Sequence, residues 1–579
     1  MTHLDRLWKL LLSNFKIDLT SCQKSLTIIA TSLCLSLLSS SVKAQNPYKL
    51  INSSNYNNSI NPSSLHSQNL PTPNIIQPED EGIQTDTSVV VNEFEILGSS
   101  VFSQQELQKI TQPFVGRSLS FTELFQVRSA ITKLYTDNGY INSGAYIPEQ
   151  EVESGKLTIQ ILEGELEAIN ITGNKRLDPD YVRKRIALAA GKPVNINSIL
   201  KALQLLRLDP LIENISAELS TGIRPGTSLL DVEIEEADAF TVSAILDNSR
   251  SPSVGTFRRG TSITHNNLFG FGDKFDFQYT NTDGSDSFDF GYTVPINLRN
   301  GKLGFKYGIN FNDIVEDPFT ILDIESESRY YELNLRQPII QQPDNELSLG
   351  LSFSRVESET SVRDNPFRIS VGADDQGRTK ISAIRFSQEW VNRGANQVIA
   401  TRSQFSIGID AFNATINEDA PDSSFFAWRG QGQWIRRLDE DFLFVLRGDI
   451  QLSASSLVPL EQFRVGGFGS VRGYRQDLSL GDNGFFTSAE LRIPIWRIPA
   501  IDGIVQLTPF VDIGVVWNKE DTIEIENDIL PSFGIGLNFT MGDRFNARLD
   551  WGIPLIDVDS EQNSLQENGV YFMLNYDLF

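Results

Sequence analysis

The sequence has very little cysteine and histidine, and this scarcity excludes several kinds of chemistry. Of its 579 residues, two are cysteines and three are histidines. Both cysteines, Cys22 and Cys34, fall in the N-terminal segment that we expect to be cleaved off, so no thiol remains for a disulfide, a zinc site or a nucleophile. His66 and His265 lie in separate regions, so we expect no histidine pair to bind a metal or to move a proton.

Nucleotide-binding motifs are lacking as well. Arg472 stands where the dinucleotide fingerprint that begins at Gly467 needs a glycine, and no Walker lysine follows any glycine run. We therefore expect no catalytic residue, no cofactor and no bound metal, and hence no enzyme.

The chain also lacks an excess of positive charge, and it lacks a long hydrophobic run after its N-terminal segment. Without residues 1–44 it has 44 Lys+Arg against 72 Asp+Glu, a net charge of −28, which argues against nucleic acid as a partner. No later apolar run reaches the roughly 18 residues that a membrane helix needs. If the mature protein lies in a membrane, it crosses as strands.

Residues 1–44 are typical of a secretory signal peptide. Four basic residues precede a short apolar run at 26–38, and Val42-Lys43-Ala44 has the small residues of a cleavage site. The basic leader is long, so an organellar transit peptide is the alternative, although the small residues favour export. Residues 45–86 are rich in Asn, Ser, Gln and Pro, a composition that predicts a flexible linker or tether.

Two copies of one unit follow, at 87–164 and 165–237. In each copy a strand and a glycine turn precede two helical patterns and two further strands. The helical patterns lie at 104–110, 121–138, 179–189 and 196–206. This β-α-α-β-β order predicts a small α+β domain with a sheet edge available for pairing.

From 238 to 579 the hydrophobic pattern alternates with a period of two. In residues 302–312 the large apolar side chains take one face, while lysine, asparagine and glycine take the other. A soluble sandwich can alternate too, but about sixteen segments of roughly 9 to 11 residues, with short turns on one side and long loops on the other, are typical of an outer-membrane barrel. The pattern therefore predicts an all-β transmembrane barrel of about 16 antiparallel strands.

A glycine-flanked arginine stands in a long predicted outer loop. Residues 466–494 contain Val471-Arg472-Gly473-Tyr474 and lead into an alternating strand. With the two repeats and the barrel, this VRGY motif resembles the outer-membrane superfamily that carries periplasmic polypeptide-transport-associated (POTRA) domains. Two such domains before one barrel are similar to the two-partner secretion transporters of the haemolysin and filamentous haemagglutinin type. The resemblance covers nearly all of the mature chain after the linker.

The resemblance implies a pore latch made by five residues: Val471, Arg472, Gly473, Tyr474 and Asp512. In the family, the arginine of the motif lies on a loop folded back into the lumen and pairs with an aspartate on the following strand. Alternation independently turns Asp512 into the lumen, where a carboxylate needs a cation or water. The alternative is that Arg472 tops a flexible external hairpin while Asp512 is an ordinary wetted charge.

Three further side chains face the lumen by alternation: Glu490, Arg492 and Phe510. For the two charged ones we expect the role of lining the pore.

The repeats suggest a second site, because an extended client can add a strand to a POTRA sheet edge. The candidates are two short predicted strands, which comprise Ser143, Gly144, Ala145, Tyr146 and Ile147, and Ile215, Ser216, Ala217, Glu218 and Leu219. The alternative is that these strands only complete the fold.

Together these features predict a monomeric outer-membrane polypeptide transporter with its POTRA domains in the periplasm. The resemblance implies that its partner is an unfolded secreted exoprotein, large and β-helical, and the barrel needs outer-membrane lipid. Two alternatives stay open. One is a barrel assembly factor of the same superfamily, which tends to carry more POTRA domains, and the other is a passive porin, for which the repeats have no use.

Overall fold

The computed structural model describes residues 88–418, 421–520, 525–558 and 564–578. The predicted signal peptide at 1–44 and the predicted linker at 45–86 lie outside the described residues, as does the terminal Phe579. The described chain forms two small α+β units followed by a closed antiparallel barrel, which confirms the predicted fold class. Among the described residues, none of the helices combines the length and the apolar character needed to span a bilayer.

The first unit packs two helices against a three-stranded sheet of order β2-β5-β4. Its elements are β1 (Val89–Val91), β2 (Glu93–Leu97), α1 (Gln104–Thr111), β3 (Arg117–Leu119), α2 (Phe121–Asp137), β4 (Gly144–Tyr146) and β5 (Lys156–Leu162). Both helices begin with a capping box, in which Ser103 pairs with Glu106 and Ser120 with Glu123. The hydrogen bonds to Ser103 also lower the pKa of Glu106. The short β1–β3 ribbon was not predicted.

The second unit repeats the first with a sheet of order β6-β8-β7. Its elements are β6 (Glu165–Thr172), α3 (Pro179–Ala190), α4 (Ile196–Arg207), β7 (Ile212–Thr221) and β8 (Thr227–Glu236). An equivalent glutamate follows or ends the last strand of each unit and accepts backbone N–H groups from the turn after β2 in the first unit and after β6 in the second. Glu163 accepts from Ser100 (2.8 Å), and Glu236 accepts from Leu177 (2.9 Å). The repeat therefore extends to individual contacts.

The barrel closes with sixteen strands, because β24 and β25 are successive parts of one strand between β23 and β26. The barrel strands are β9 (Phe240–Asp247), β10 (Arg258–Asn266), β11 (Lys274–Asn281), β12 (Ser285–Pro295), β13 (Lys302–Asp313), β14 (Ile324–Gln341), β15 (Asn345–Val362), β17 (Arg378–Arg393), β18 (Gln397–Gly408), β19 (Phe426–Asp439), β20 (Phe442–Ser453), β23 (Asn483–Ile498), β24 (Gly503–Leu507), β25 (Phe510–Trp517), β26 (Ile529–Met541), β27 (Phe545–Pro554) and β28 (Val570–Asp577). Three short strands lie in the outer loops, namely β16 (Asn365–Pro366), β21 (Phe463–Val465) and β22 (Ser479–Gly481).

Alternation along the barrel strands separates a lipid-facing surface from the lumen. On β13, Phe305 is 42% exposed on the outside, whereas Asn310 is fully buried on the inside. The connections at the end beside the second unit are short, as between β14 and β15, while those at the other end reach the 29 residues that separate β20 from β23. This asymmetry is the expected one for an outer-membrane barrel.

The second unit is attached to the short turns at the periplasmic rim of the barrel. The Asp178 N–H at the start of α3 donates to the Gly270 carbonyl (2.8 Å), and Arg185 donates to the Asn300 side chain (3.1 Å). A Cβ atom at Gly272 would lie 2.5 Å from the Tyr181 ring, so the turn and the helix are in close contact. These contacts hold the second unit at the entrance of the barrel.

Candidate functional site

The loop between β20 and β23, residues 454–482, lies inside the barrel. Its first part packs Leu457, Val458 and Leu460 against lumen-facing residues of β15 and β17. Its second part packs against Phe486, Val516 and Leu530 on β23, β25 and β26, through four buried side chains: Phe463, Val465, Val471 and Tyr474. The loop therefore fills part of the lumen, and the alternative of a flexible external hairpin is wrong.

Arg472, at the centre of this loop, is only 1% exposed, and its guanidinium meets Asp512 through two parallel hydrogen bonds. Nε lies 2.8 Å from Oδ2 of Asp512, and Nη2 lies 2.9 Å from Oδ1. The backbone N–H of Arg472 also donates to Oδ2 (3.2 Å). This bidentate, charge-assisted geometry is the strongest arrangement open to an arginine and a carboxylate.

The same guanidinium reaches two more carboxylates and an aromatic ring. Nη1 contacts Glu490 (2.8 Å) and Asp550 (3.2 Å), and Nη2 donates to the Ser488 hydroxyl (3.2 Å). Its carbon Cζ lies 3.4 Å from the centre of the Phe510 ring, a cation–π contact. Glu490 and Phe510 therefore touch Arg472 directly, whereas Arg492 binds Glu490 (2.9 Å) and does not contact Arg472.

Two glycines on the lumen side of β26 and β27, Gly534 and Gly552, leave only backbone in the wall beside the Phe510 ring and the Arg472 main chain. A Cβ atom at Gly552 would lie 2.5 Å from the Gly473 nitrogen and 2.6 Å from the Arg472 carbonyl carbon. A Cβ atom at Gly534 would lie 2.3 Å from the Phe510 ring. These glycines let the loop and the ring lie flat against the wall.

The residues on both sides of Arg472 fix its backbone. Gly473 has φ +105°, a conformation that favours glycine, and its N–H donates to the Tyr571 hydroxyl (2.9 Å). Tyr571, on β28, bonds in turn to the Tyr474 carbonyl, and the Tyr474 hydroxyl donates to the Pro531 carbonyl (2.7 Å). Val471 is fully buried. All four residues of the motif are thus held by the wall.

Two charged residues of β27 belong to the site but were not predicted. Arg548 bonds to Asp550 (2.8 Å) and to Glu490, so both of these carboxylates are shared between Arg548 and Arg472. Alternation in residues 545–552 would have identified them, because Leu549 and Trp551 face lipid and the intervening charges must face the lumen. The VRGY motif itself carries no information about β27, which lies more than 70 residues further along the chain.

The two candidate client-binding strands differ from expectation. Ser143 and Ile147 lie outside the three-residue β4, and the Ser143 hydroxyl is buried and accepts from the Gly164 N–H (2.9 Å). The outer edge of β4 is covered, because the Ala145 N–H donates to the Thr132 hydroxyl on α2 (3.0 Å). The stretch 215–219 belongs to the ten-residue β7, so that strand is not short. Within the described residues β7 pairs only with β8 and is a sheet edge.

Comparisons with known proteins agree with this architecture. Residues 226–539 match the family model of the haemolysin secretion/activation protein ShlB/FhaC/HecB, and residues 89–164 match the ShlB-type POTRA domain. The outer membrane transporter CdiB of Dickeya dadantii (strain 3937) is 22% identical over 73% of this chain and 75% of the relative. The heme/hemopexin transporter protein HuxB of Haemophilus influenzae (strain 86-028NP) is 23% identical over 78% and 80%.

A solved structure of CdiB from Escherichia coli superimposes with a TM-score of 0.65 at 21% identity. It covers 87% of this chain and 94% of the CdiB chain, so the two proteins share the complete POTRA-plus-barrel fold. The family model spans more than half of the sequence. The chain therefore belongs to the ShlB/FhaC/HecB family of haemolysin secretion/activation proteins and is an outer-membrane transporter of the two-partner secretion type.

Proposed function

We propose that this transporter captures an unfolded exoprotein in the periplasm and passes it through the barrel lumen to the cell surface. The observation that carries the proposal is the loop at 454–482, which fills part of the lumen and is fixed there by Arg472. A translocating chain needs that space, so the loop must move before transport begins.

In this mechanism Val471 to Tyr474 and Asp512 form a latch. Arg472 is bound by three carboxylates at a site from which water is almost excluded. Separating one partner of a buried ion pair typically costs about 3 to 5 kcal/mol. Such a contact holds the loop in one place at rest, and binding of the client supplies the free energy for its release.

The client binds to the free edge of β7 when it is captured. The Gly222 N–H bonds to the Thr227 carbonyl (2.9 Å) at the end of the hairpin, and this pair sets the phase of the β7–β8 ladder. Because antiparallel pairs alternate, the backbone groups of Ala217 and Leu219 point away from β8. An extended client can bind there by strand addition. The covered edge of β4 offers no comparable row of free backbone N–H and C=O groups.

The client is a secreted exoprotein, and we propose that it is large and β-helical and that it folds outside the cell. Folding on the outside supplies the driving force, because ATP is absent from the periplasm. The transporter works as a monomer in outer-membrane lipid and catalyses no reaction.

Deletion of the gene tests this function against the alternatives. The expected result is that one exported protein disappears from the medium and the cell surface while the other outer-membrane proteins keep their abundance, as measured by quantitative proteomics. A general fall in barrel proteins would instead indicate an assembly factor. An unchanged exoproteome would indicate a porin. Complementation with the wild-type gene is the control.

A further inference from the structure

Arg447 is a charged lumen residue that the latch does not use. It lies on β20, next to Ser488 of β23, which in turn lies next to Asp512 of β25. Its nearest polar contact is the Ser488 hydroxyl (3.5 Å), and its guanidinium lies 5.8 Å from the Phe486 ring. No carboxylate of the described chain forms an ion pair with it. A lumen arginine without an acidic partner needs a physical reason.

Arg447 and Arg472 converge on one hydroxyl. The Ser488 Oγ accepts from Nη2 of Arg472 at 3.2 Å and from Nη2 of Arg447 at 3.5 Å. Two strand spacings, about 10 Å, separate the backbones of Arg447 and Asp512. An arginine side chain that already reaches the intervening serine needs only a small rotation to reach Asp512.

The charged side chains around Arg472 carry equal positive and negative charge only when Arg472 has moved away with the loop. Four arginines, at 447, 472, 492 and 548, surround three carboxylates, at 490, 512 and 550. After Arg472 departs, Glu490 keeps Arg492 and Arg548, and Asp550 keeps Arg548. Asp512 alone loses every side-chain partner that it has in the described chain. One arginine, Arg447, and one carboxylate, Asp512, then remain unpaired.

We propose that Arg447 is the surrogate counterion of Asp512. When the loop releases, Arg447 moves past Ser488 into the place that Arg472 vacates, so that Asp512 keeps a cation beside it in the open lumen. Arg447 also lies close to Arg472 in the resting state, and their repulsion weakens the latch. Arg447 is therefore a positioning residue that makes the latch reversible, and this inference rests on the proposed release of the loop.

Channel recordings of the purified protein in planar lipid bilayers test the proposal. Arg447→Gln is expected to lower the frequency of openings by about fivefold, because the open state then holds Asp512 without a nearby cation. Arg447→Lys keeps the charge and is expected to retain most openings. Asp512→Asn is recorded alone and together with Arg447→Gln, because it loosens the latch by itself. If Arg447 acts through Asp512, Arg447→Gln is expected to change the opening frequency by no more than about twofold in the Asp512→Asn background. A merely structural effect of Arg447→Gln would persist in that background.

The matched control is Arg402→Gln, which removes another lumen arginine, whose carboxylate partner is Glu389 at 3.8 Å. It is expected to change the opening frequency by no more than about twofold. The surrogate role is overturned if Arg447→Gln opens as often as the wild type, or if it lowers the opening frequency as much in the Asp512→Asn background as in the wild type. Arg472→Ala is recorded alongside, and wild-type behaviour of that variant would refute the latch itself. Circular dichroism confirms that each variant is folded.

Discussion

Gly552 shows how far single residues determine where the loop can rest. Its lumen side is in contact with the backbone of Arg472 and Gly473, so a side chain at this position and the loop exclude each other. Arg472 supplies the binding energy, but Gly552 supplies the space in which the charged contacts form. A latch of this kind needs both.

Gly552→Ala is therefore expected to displace the loop from its resting position against the barrel wall without removing any charge. The added methyl would lie 2.5 Å from a backbone nitrogen, which cannot swing aside as a flexible side chain can. We expect a higher resting conductance in planar bilayers, comparable to that of Arg472→Ala. The matched control is Gly432→Ala on β19, where an added methyl meets no atom within 4 Å. A resting conductance of Gly552→Ala equal to that of this control would contradict the proposed seat.

The sequence predicted part of this site. Strand alternation turned Asp512 inward, and the VRGY motif supplied its partner Arg472. Asp550 and Arg548 obey the same alternation but belong to no motif, so only the structure joined them to the latch. The contact of Gly552 with the loop is between residues about 80 positions apart in sequence, and no local pattern encodes such a close approach.

At the scale of whole elements, the two candidate strands differ in which backbone groups are free. On β4, the outward N–H of Ala145 already donates to the Thr132 hydroxyl. On β7, a longer row of backbone N–H and C=O groups faces away from β8. Sequence could place both strands because their composition and flanking turns are local signals. It could not tell the free edge from the covered one, because that depends on how α2 packs against β4.

Ala217→Pro tests the β7 edge. Proline lacks the N–H that Ala217 directs outward, yet it is tolerated on an edge strand because no bond to β8 is lost. We expect export of the protein identified by gene deletion to fall by at least about threefold, as measured by its rate of appearance in the medium, because a main-chain bond is worth about 1 kcal/mol. Ala217→Ser, which keeps the N–H, is the control. Equal export by both variants would exclude this edge as the binding site.

For the molecule as a whole, the order of domains and the number of barrel strands followed from periodicity. The change from helical to alternating patterns marks the start of the barrel. The short turns on one side and the long loops on the other indicate which end of the barrel faces the periplasm. The attachment of α3 to the turns near Gly270 and Asn300 was not predicted, because it joins side chains and backbone groups from distant parts of the chain. The family resemblance implied the inward course of the loop, and the structure supplied the contacts that hold it there.

The central claim is that this loop must leave its seat during transport, and a reversible tether tests it most directly. A Cβ atom at Gly514 would lie 2.7 Å from Cγ2 of Val471 and 2.9 Å from Cγ1 of Val465. In a Val465→Ala background, which removes the Cγ1 atom, Val471→Cys with Gly514→Cys therefore places two thiols within reach of a disulfide. Both native cysteines lie in the predicted signal peptide, so no other disulfide competes in the mature chain.

The account predicts that the oxidised double variant exports nothing, that a reducing agent restores export, and that each single cysteine variant exports under both conditions. Export at the wild-type rate by fully cross-linked protein would contradict the account.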